Sequence, residues 1–275
     1  MEKSIIESVN SLPPLSKTIL DINEVYADED ASLQDLVKVI ERDPMIVANL
    51  LKVANSPLYS FGREIKNISQ AVSLFGMGMT RNITLGNSVR KLLNVDMQPY
   101  GITSIKFTEI SNMQAVLIYK WYKQIDAKKA EKLYLCAFLQ ETGKILIASS
   151  VIQDNETISF QSEVETSYKL SMVEKSYVGV TAAEVSSGLF KHWGFDSEFV
   201  DALKYSDNPA DAPQKVQELS TALNIVKTIV PINQPFSDTA IRFGLKMAED
   251  AGYDKTILES AINEILEDNT KRENV

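Results

Sequence analysis

Apolar residues recur along the chain at intervals of three and four, as Leu33, Leu36, Val37 and Ile40 do, and strict alternation over a strand length is hard to find. This spacing predicts an all-α fold. The punctuation agrees. Ser32 stands as a cap before Leu33, and Asp43-Pro44 places a capping carboxylate just ahead of a proline suited to a first helical turn. The helix that follows, "PMIVANLLKVAN", is apolar around more than half its circumference, which makes it central to its layer. It ends at Asn55-Ser56, where Pro57 stops continuation. A helix through "ISQAVSLF" stops at Gly76 and another starts near Gly78 and runs to about Asn94, so the two glycines read as a linker rather than an anion loop.

Pro99 and Gly101 then mark a joint between helical patterns, dividing the chain into residues 1–95 and 96–275. Beyond it the periodicity predicts a long helix over "KFTEISNMQAVLIYKWYKQI" and a continuous helix from about Lys128 to Ser149. Shorter helices lie in "SYKLSMVEKSYVG", "TAAEVSSGLFKHWG" and "SEFVDALKYSD". After the loop "DNPADAP", three more begin near Gln214, Ser237 and Asp254.

A 275-residue chain that is 44% apolar has enough material for a sizeable core. Cys136, the sole cysteine, sits in "LYLCAFL" and reads as a buried small hydrophobe. No apolar run approaches the roughly 20 residues of a bilayer span, and "MEKSIIESVN" lacks a secretion-signal layout, so a cytoplasmic protein without a membrane partner is expected. A net charge of −9 repels phosphate backbones. The best basic cluster, Arg81, Arg90 and Lys91, reads as a solvated helix face, which argues against a nucleic-acid partner.

Several motifs occur in a recognisable order: Leu12-Pro13 to Leu15, "LVKVIERDP", Leu50-Leu51, Ala54-Asn55-Ser56 and "ISQAVSLFG", then, less clearly, Trp193 to Pro209. Together they resemble HDOD domains, bacterial signalling domains related to the HD metal-dependent phosphohydrolases. The resemblance covers about two-thirds of the chain. It implies an N-terminal multi-helix bundle packed against a C-terminal HD-like helical bundle. It also implies a non-catalytic regulatory role in motility or stress signalling, with other signalling proteins as partners.

An HD centre needs imidazoles and carboxylates converging on one or two divalent ions. The resemblance places its His-Asp pair on Gln140 and Glu141, its upstream histidine on Ile110, a later histidine on Ala182, a His-His pair on Ser206 and Asp207, and its last acidic ligand near Asn224. None of these is an imidazole, so no metal, cofactor or catalytic residue is expected. Glu141 and Asp207 are expected solvated at helix ends. Were they to meet instead, a residual Mg- or Mn-dependent phosphohydrolase is the alternative. A further alternative is a sensor of a nucleotide second messenger between the bundles.

His192, the single histidine, is expected on the surface near a helix end with Trp193 against the core. No Gly-x-Ser-x-Gly, phosphate-binding loop or dinucleotide fingerprint occurs. For partner binding the candidates are Tyr59 and Phe61 after Asn55-Ser56, together with Trp121 and Tyr122. Core edges are the ordinary place for such residues.

Overall fold

The computed structural model describes residues 2–56, 58, 59, 61, 64–93, 96–167 and 169–273. Pro57 and the Asn94–Val95 stretch, where the domain boundary was placed, lie outside the described residues. Among those described, every regular element is a helix. The first group is α1 (Glu2–Asn10), α2 (Lys17–Ala27), α3 (Leu33–Ile40), α4 (Pro44–Ala54) and α5 (Ile68–Leu92). There follow α6 (Ser104–Lys123), α7 (Ala127–Leu139), α8 (Gly143–Gln153), α9 (Thr157–Thr166), α10 (Leu170–Val178), α11 (Ala182–His192) and α12 (Ser197–Lys204). Three helices complete the chain: α13 (Gln214–Ile229), α14 (Asp238–Asp250) and α15 (Lys255–Glu273).

Local chemistry sets many of these boundaries. The Ser32 hydroxyl accepts from Asp35 N–H and the Asp35 carboxylate accepts from Ser32 N–H, a reciprocal cap that opens α3. Asp43 accepts from the N–H groups of Met45 and Ile46 to open α4. Gly76, at φ +75°, interrupts α5 where the sequence places a stop. Asn55 closes the loop after α4 by donating to the carbonyls of Leu51 and Ile65 and accepting from Ile65 N–H. That three-way bonding accounts for Asn55 in the Ala54-Asn55-Ser56 motif.

Helices α2, α3 and α4 pack on α5, and α5 packs on α7. A three-residue link joins α6 and α7 into a helical hairpin, on which α13 and α15 lie. Helix α8 crosses α11, with α10 beside it, and α12 bridges α11 to α13. Helix α1 lies on α11 and α8. The link after it is tied down at the carbonyls of Leu12, 3.4 Å from His192 Nε2, and of Pro13, which accepts from Trp193 Nε1 at 3.0 Å. His192 is exposed and Trp193 half-buried.

Three expectations are corrected. The helix over 128–149 is two helices, broken at Gln140–Thr142. In an unbroken helix Gly143 N–H and the Gln140 carbonyl would bond along the axis. Instead the Ser186 hydroxyl of α11 takes both, accepting from Gly143 N–H at 2.8 Å and donating to the Gln140 carbonyl at 2.9 Å. Next, Ala127–Gln153 is long and apolar enough in composition to cross a bilayer, yet 83% of its apolar window is buried inside the protein. It forms a core helix pair. Finally, the basic cluster does not form a solvated face. Arg81 Nε donates to Asn23 at 2.7 Å. Arg90 lies buried between the rings of Phe107 and Phe138, and burial pulls its guanidinium down to about 9. Only Lys91 of the three is exposed.

Candidate functional site

A cavity of about 710 Å³ opens between the α7–α8 turn, the α9–α10 link, α10, the residues after α12, α13 and the start of α14. Its floor is charged. Glu141 stands in the turn, Lys144 on the first turn of α8, Glu174 on α10, Asp207 after α12, and Asn224 and Lys227 on α13. Leu170, Ile232, Phe243 and Met247 supply apolar wall.

Glu141 is only 2% exposed, which corrects the expectation of a solvated carboxylate. The break in the helix turns it inward. Its Oε2 lies 3.2 Å from Lys144 Nζ, an ion pair without hydrogen-bond alignment, and its Oε1 accepts from Gln114 Nε2 at 3.4 Å. Lys144 also pairs with Glu174, which accepts from the Tyr100 hydroxyl at 3.1 Å and from Ala182 N–H at 2.7 Å. Burial acts to lower the Lys144 ammonium, but the charges of Glu141 and Glu174 outweigh it and hold the group above its usual range.

A second pair flanks the first. Lys227 Nζ donates to Asp207 Oδ1 at 2.6 Å and to the Ser206 hydroxyl at 3.0 Å, while Asn224 Nδ2 donates to the Ser206 carbonyl at 2.6 Å. Burial alone would raise the Asp207 carboxyl, and the ammoniums of Lys227 and Lys144 bring it below the ordinary 3.8. A carboxyl depressed in the folded state stabilises above its unfolded-state value, and that contribution disappears as pH falls through the folded-state value. Unfolding followed from pH 6 to pH 3 is therefore expected to show a shallower acid loss for Asp207→Asn than for the unaltered chain.

Glu141, Asp207 and Asn224 thus line one cavity, as the HD correspondence implies. Ser206 and Ala182 stand one hydrogen bond behind it, through Lys227 and Glu174. Gln140 turns to Gln114, donating to its Oε1 at 2.9 Å, and Ile110 is buried in the core on α6. Sequence reasoning missed Lys144, Glu174 and Lys227. Each stands beside an apolar residue, Ile145, Val173 and Val226, as charged residues on amphipathic helices ordinarily do, and Glu174 is followed by Lys175, so the local sequence carries no signal that sets them apart.

The dication of an HD centre does not fit this donor set. The carboxylates of Glu141, Glu174 and Asp207 already face lysine ammoniums, and a metal here would have to displace or crowd them. Among the described residues, no group of three or more His, Cys, Asp or Glu is placed to hold a metal ion.

Of the partner candidates, Tyr59 and Phe61 are half-buried and pack against Phe75, with ring centroids 5.0 and 5.3 Å away. They line a second cavity of about 360 Å³ with Leu74, Met79, Tyr119 and Lys123. Trp121 and Tyr122 have no exposed surface, which corrects their place as surface candidates. They face Tyr253, whose hydroxyl bonds that of Tyr122 at 2.8 Å.

The sequence profile of the HDOD domain matches residues 12–209. The crystal structure of a virulence factor from Campylobacter jejuni subsp. jejuni is 27% identical, covering 97% of this chain and 96% of that one, with a TM-score of 0.59. A candidate phosphohydrolase from Shewanella amazonensis SB2B is 22% identical, covering 97% and 94%, with a TM-score of 0.74; at that identity the likeness shows the fold. An uncharacterised protein of Treponema pallidum (strain Nichols) is 20% identical over 226 residues, 78% of this chain and 41% of that protein. The chain therefore spans about two-fifths of the length of this curated relative.

Proposed function

The chain belongs to the HDOD domain family, and on that premise we propose a regulatory module that acts by binding rather than by turnover. One observation carries the reading: lysine ammoniums face the carboxylates that an HD-type reaction would need for its dication. Such a reaction uses a metal with an open coordination position to polarise a phosphoryl oxygen and acidify water. An ammonium offers only hydrogen-bond donors and cannot arm a water in that way.

In this reading the fold presents surfaces to other signalling proteins. The groove at Tyr59 and Phe61 supports that view, because aromatic side chains around a recess are a usual anchor for a partner's side chain. Lys123 at its edge favours a partner segment that carries a carboxylate beside its apolar anchor. A second reading, a sensor with its ligand in the larger cavity, is favoured by a volume of about 710 Å³, which suits a small molecule.

The test is turnover. With millimolar Mg²⁺ or Mn²⁺, the purified chain is expected to release no phosphate from nucleotides or phosphomonoesters above a protein-free blank. Hydrolysis that requires the metal and falls in both Glu141→Gln and Asp207→Asn would overturn the binding reading in favour of an enzyme.

A further inference from the structure

The most exposed large apolar side chain among the described residues is Ile158, 86% accessible in the first turn of α9. The core makes no use of it. Phe160, two positions on and so on the far side of the helix, packs edge-on to Tyr100 and Tyr177 at 5.1 Å and fixes how α9 is turned. Just ahead of Ile158 stand two exposed carboxylates, Asp154 and Glu156, with Asn155 between them at φ +60° separating α8 from α9. Glu156 accepts from the Ser159 hydroxyl at 2.7 Å, and neither carboxylate enters an ion pair among the described residues. A lone exposed aliphatic residue is ordinary on a surface. What sets this one apart is a recess of matching character elsewhere on the same chain.

That recess is the cavity of about 360 Å³ lined by Tyr59, Phe61, Leu74, Phe75 and Met79, with Lys120 and Lys123 of α6 beside them. Lys120 is matched by Glu264 at 2.9 Å. Lys123 is exposed, holds its ammonium 5.6 Å from the Tyr119 ring, and enters no ion pair among the described residues. An apolar recess with an unmatched cation is thus the complement of an apolar knob with unmatched carboxylates. The two lie at opposite ends of α6. Helix α9 packs on the turn at Gln98–Tyr100 that leads into α6, and Gln161, one turn along from Ile158, covers Gly101. The recess takes from α6 only Val116 and residues after it, roughly 20 Å or more along the axis at 1.5 Å per residue. A copy therefore does not fill its own recess.

We propose that the recess of one copy receives Ile158 of a second copy, with Glu156 of that second copy set against Lys123 of the first. The proposal rests on the reading of this recess as a partner groove and supplies the partner, another copy of the same chain. Knob and recess are different patches, so the contact is head to tail and leaves a free knob at one end and a free recess at the other. Long-range repulsion from the net charge of −9 is largely screened at physiological salt, where the Debye length is about 8 Å, whereas groups in contact are screened much less.

The experiment is sedimentation velocity of the full chain at physiological salt, over roughly 10 to 300 µM, the range in which a weak contact with one apolar anchor is populated. The average mass is expected to rise with concentration past that of a dimer. Ile158→Ser and Lys123→Glu are each expected to weaken association at least about tenfold. Both side chains are exposed, so the melting temperature of each variant is expected to stay that of the unaltered chain. Mixed in equal amounts, the two variants are expected to form a one-to-one pair and nothing larger, because one keeps the recess and the other the knob. The charge exchange Lys123→Glu/Glu156→Lys is expected to regain growth past the dimer.

A chain that stays monomeric at every concentration would overturn the proposal and leave the recess to a different protein. So would association that stops at a dimer or persists in both variants, and so would variants that do not pair when mixed. Metal-dependent phosphate release tells instead against the binding reading, so the two failures are read in different assays.

Discussion

Replacing Trp121 with alanine is expected to lower the unfolding free energy by about 3–5 kcal/mol, the usual cost of deleting a large buried ring. The side chain has no exposed surface, and its ring packs edge-on to Tyr122 and Tyr253, each at a centroid distance of 5.0 Å. Those contacts join α6 to the link between α14 and α15, so the cavity left by alanine would lie between elements that cannot close independently. Trp121→Phe should cost much less. The indole N–H has no hydrogen-bond partner among the described residues, so its removal leaves no new group unsatisfied. A denaturant midpoint that shifts at constant slope checks both values. A surface anchor would behave in the opposite way, losing partner affinity at unchanged stability.

Gly143→Ala is expected to cost about 3 kcal/mol, at the upper end of overpacking penalties. A Cβ at this position would stand 2.9 Å from Ser186 N and from Val185 Cβ, and closer still to the Ala182 carbonyl. Two of these neighbours are backbone atoms of α11, which can yield only if the whole helix shifts. Any such shift stretches the Ser186 hydroxyl bridge that replaces the missing helical bonds of the turn. It also disturbs Ala182 N–H, which holds Glu174 under Lys144. The expected readout is thus a lower melting temperature, by roughly 6–12 °C at 2–4 °C per kcal/mol. Gly188, which has nothing within 4 Å of its own Cβ position, is the control: Gly188→Ala should be neutral or slightly stabilising.

The legible parts of the fold are those written in neighbouring residues. The cap at Ser32, the carboxylate at Asp43 and the break at Gly76 each act within a few residues of the boundary they set. The ordered motifs led to the HDOD family, and the profile match over residues 12–209 shows it. At the site, the correspondence identified Glu141, Asp207 and Asn224, which the fold collects in one cavity. Lys144 was missed because its partner Glu174 is 30 residues away on another helix, and nothing in the local pattern joins them. Burial was misjudged in the same way: Trp121 and Arg90 lie on helices whose exposed and covered faces depend on what packs above them.

By itself, then, the amino-acid order determined helical periodicity, most of the stops and starts, the family, and the want of imidazole at the HD positions. Only the tertiary structure decided that the 128–149 segment breaks, that Glu141 turns inward, and that lysines meet the cavity's carboxylates. The physical reason is range. Caps and breakers act through backbone groups up to four residues away, whereas a buried charge is set by whichever partner distant helices bring within about 3 Å of it.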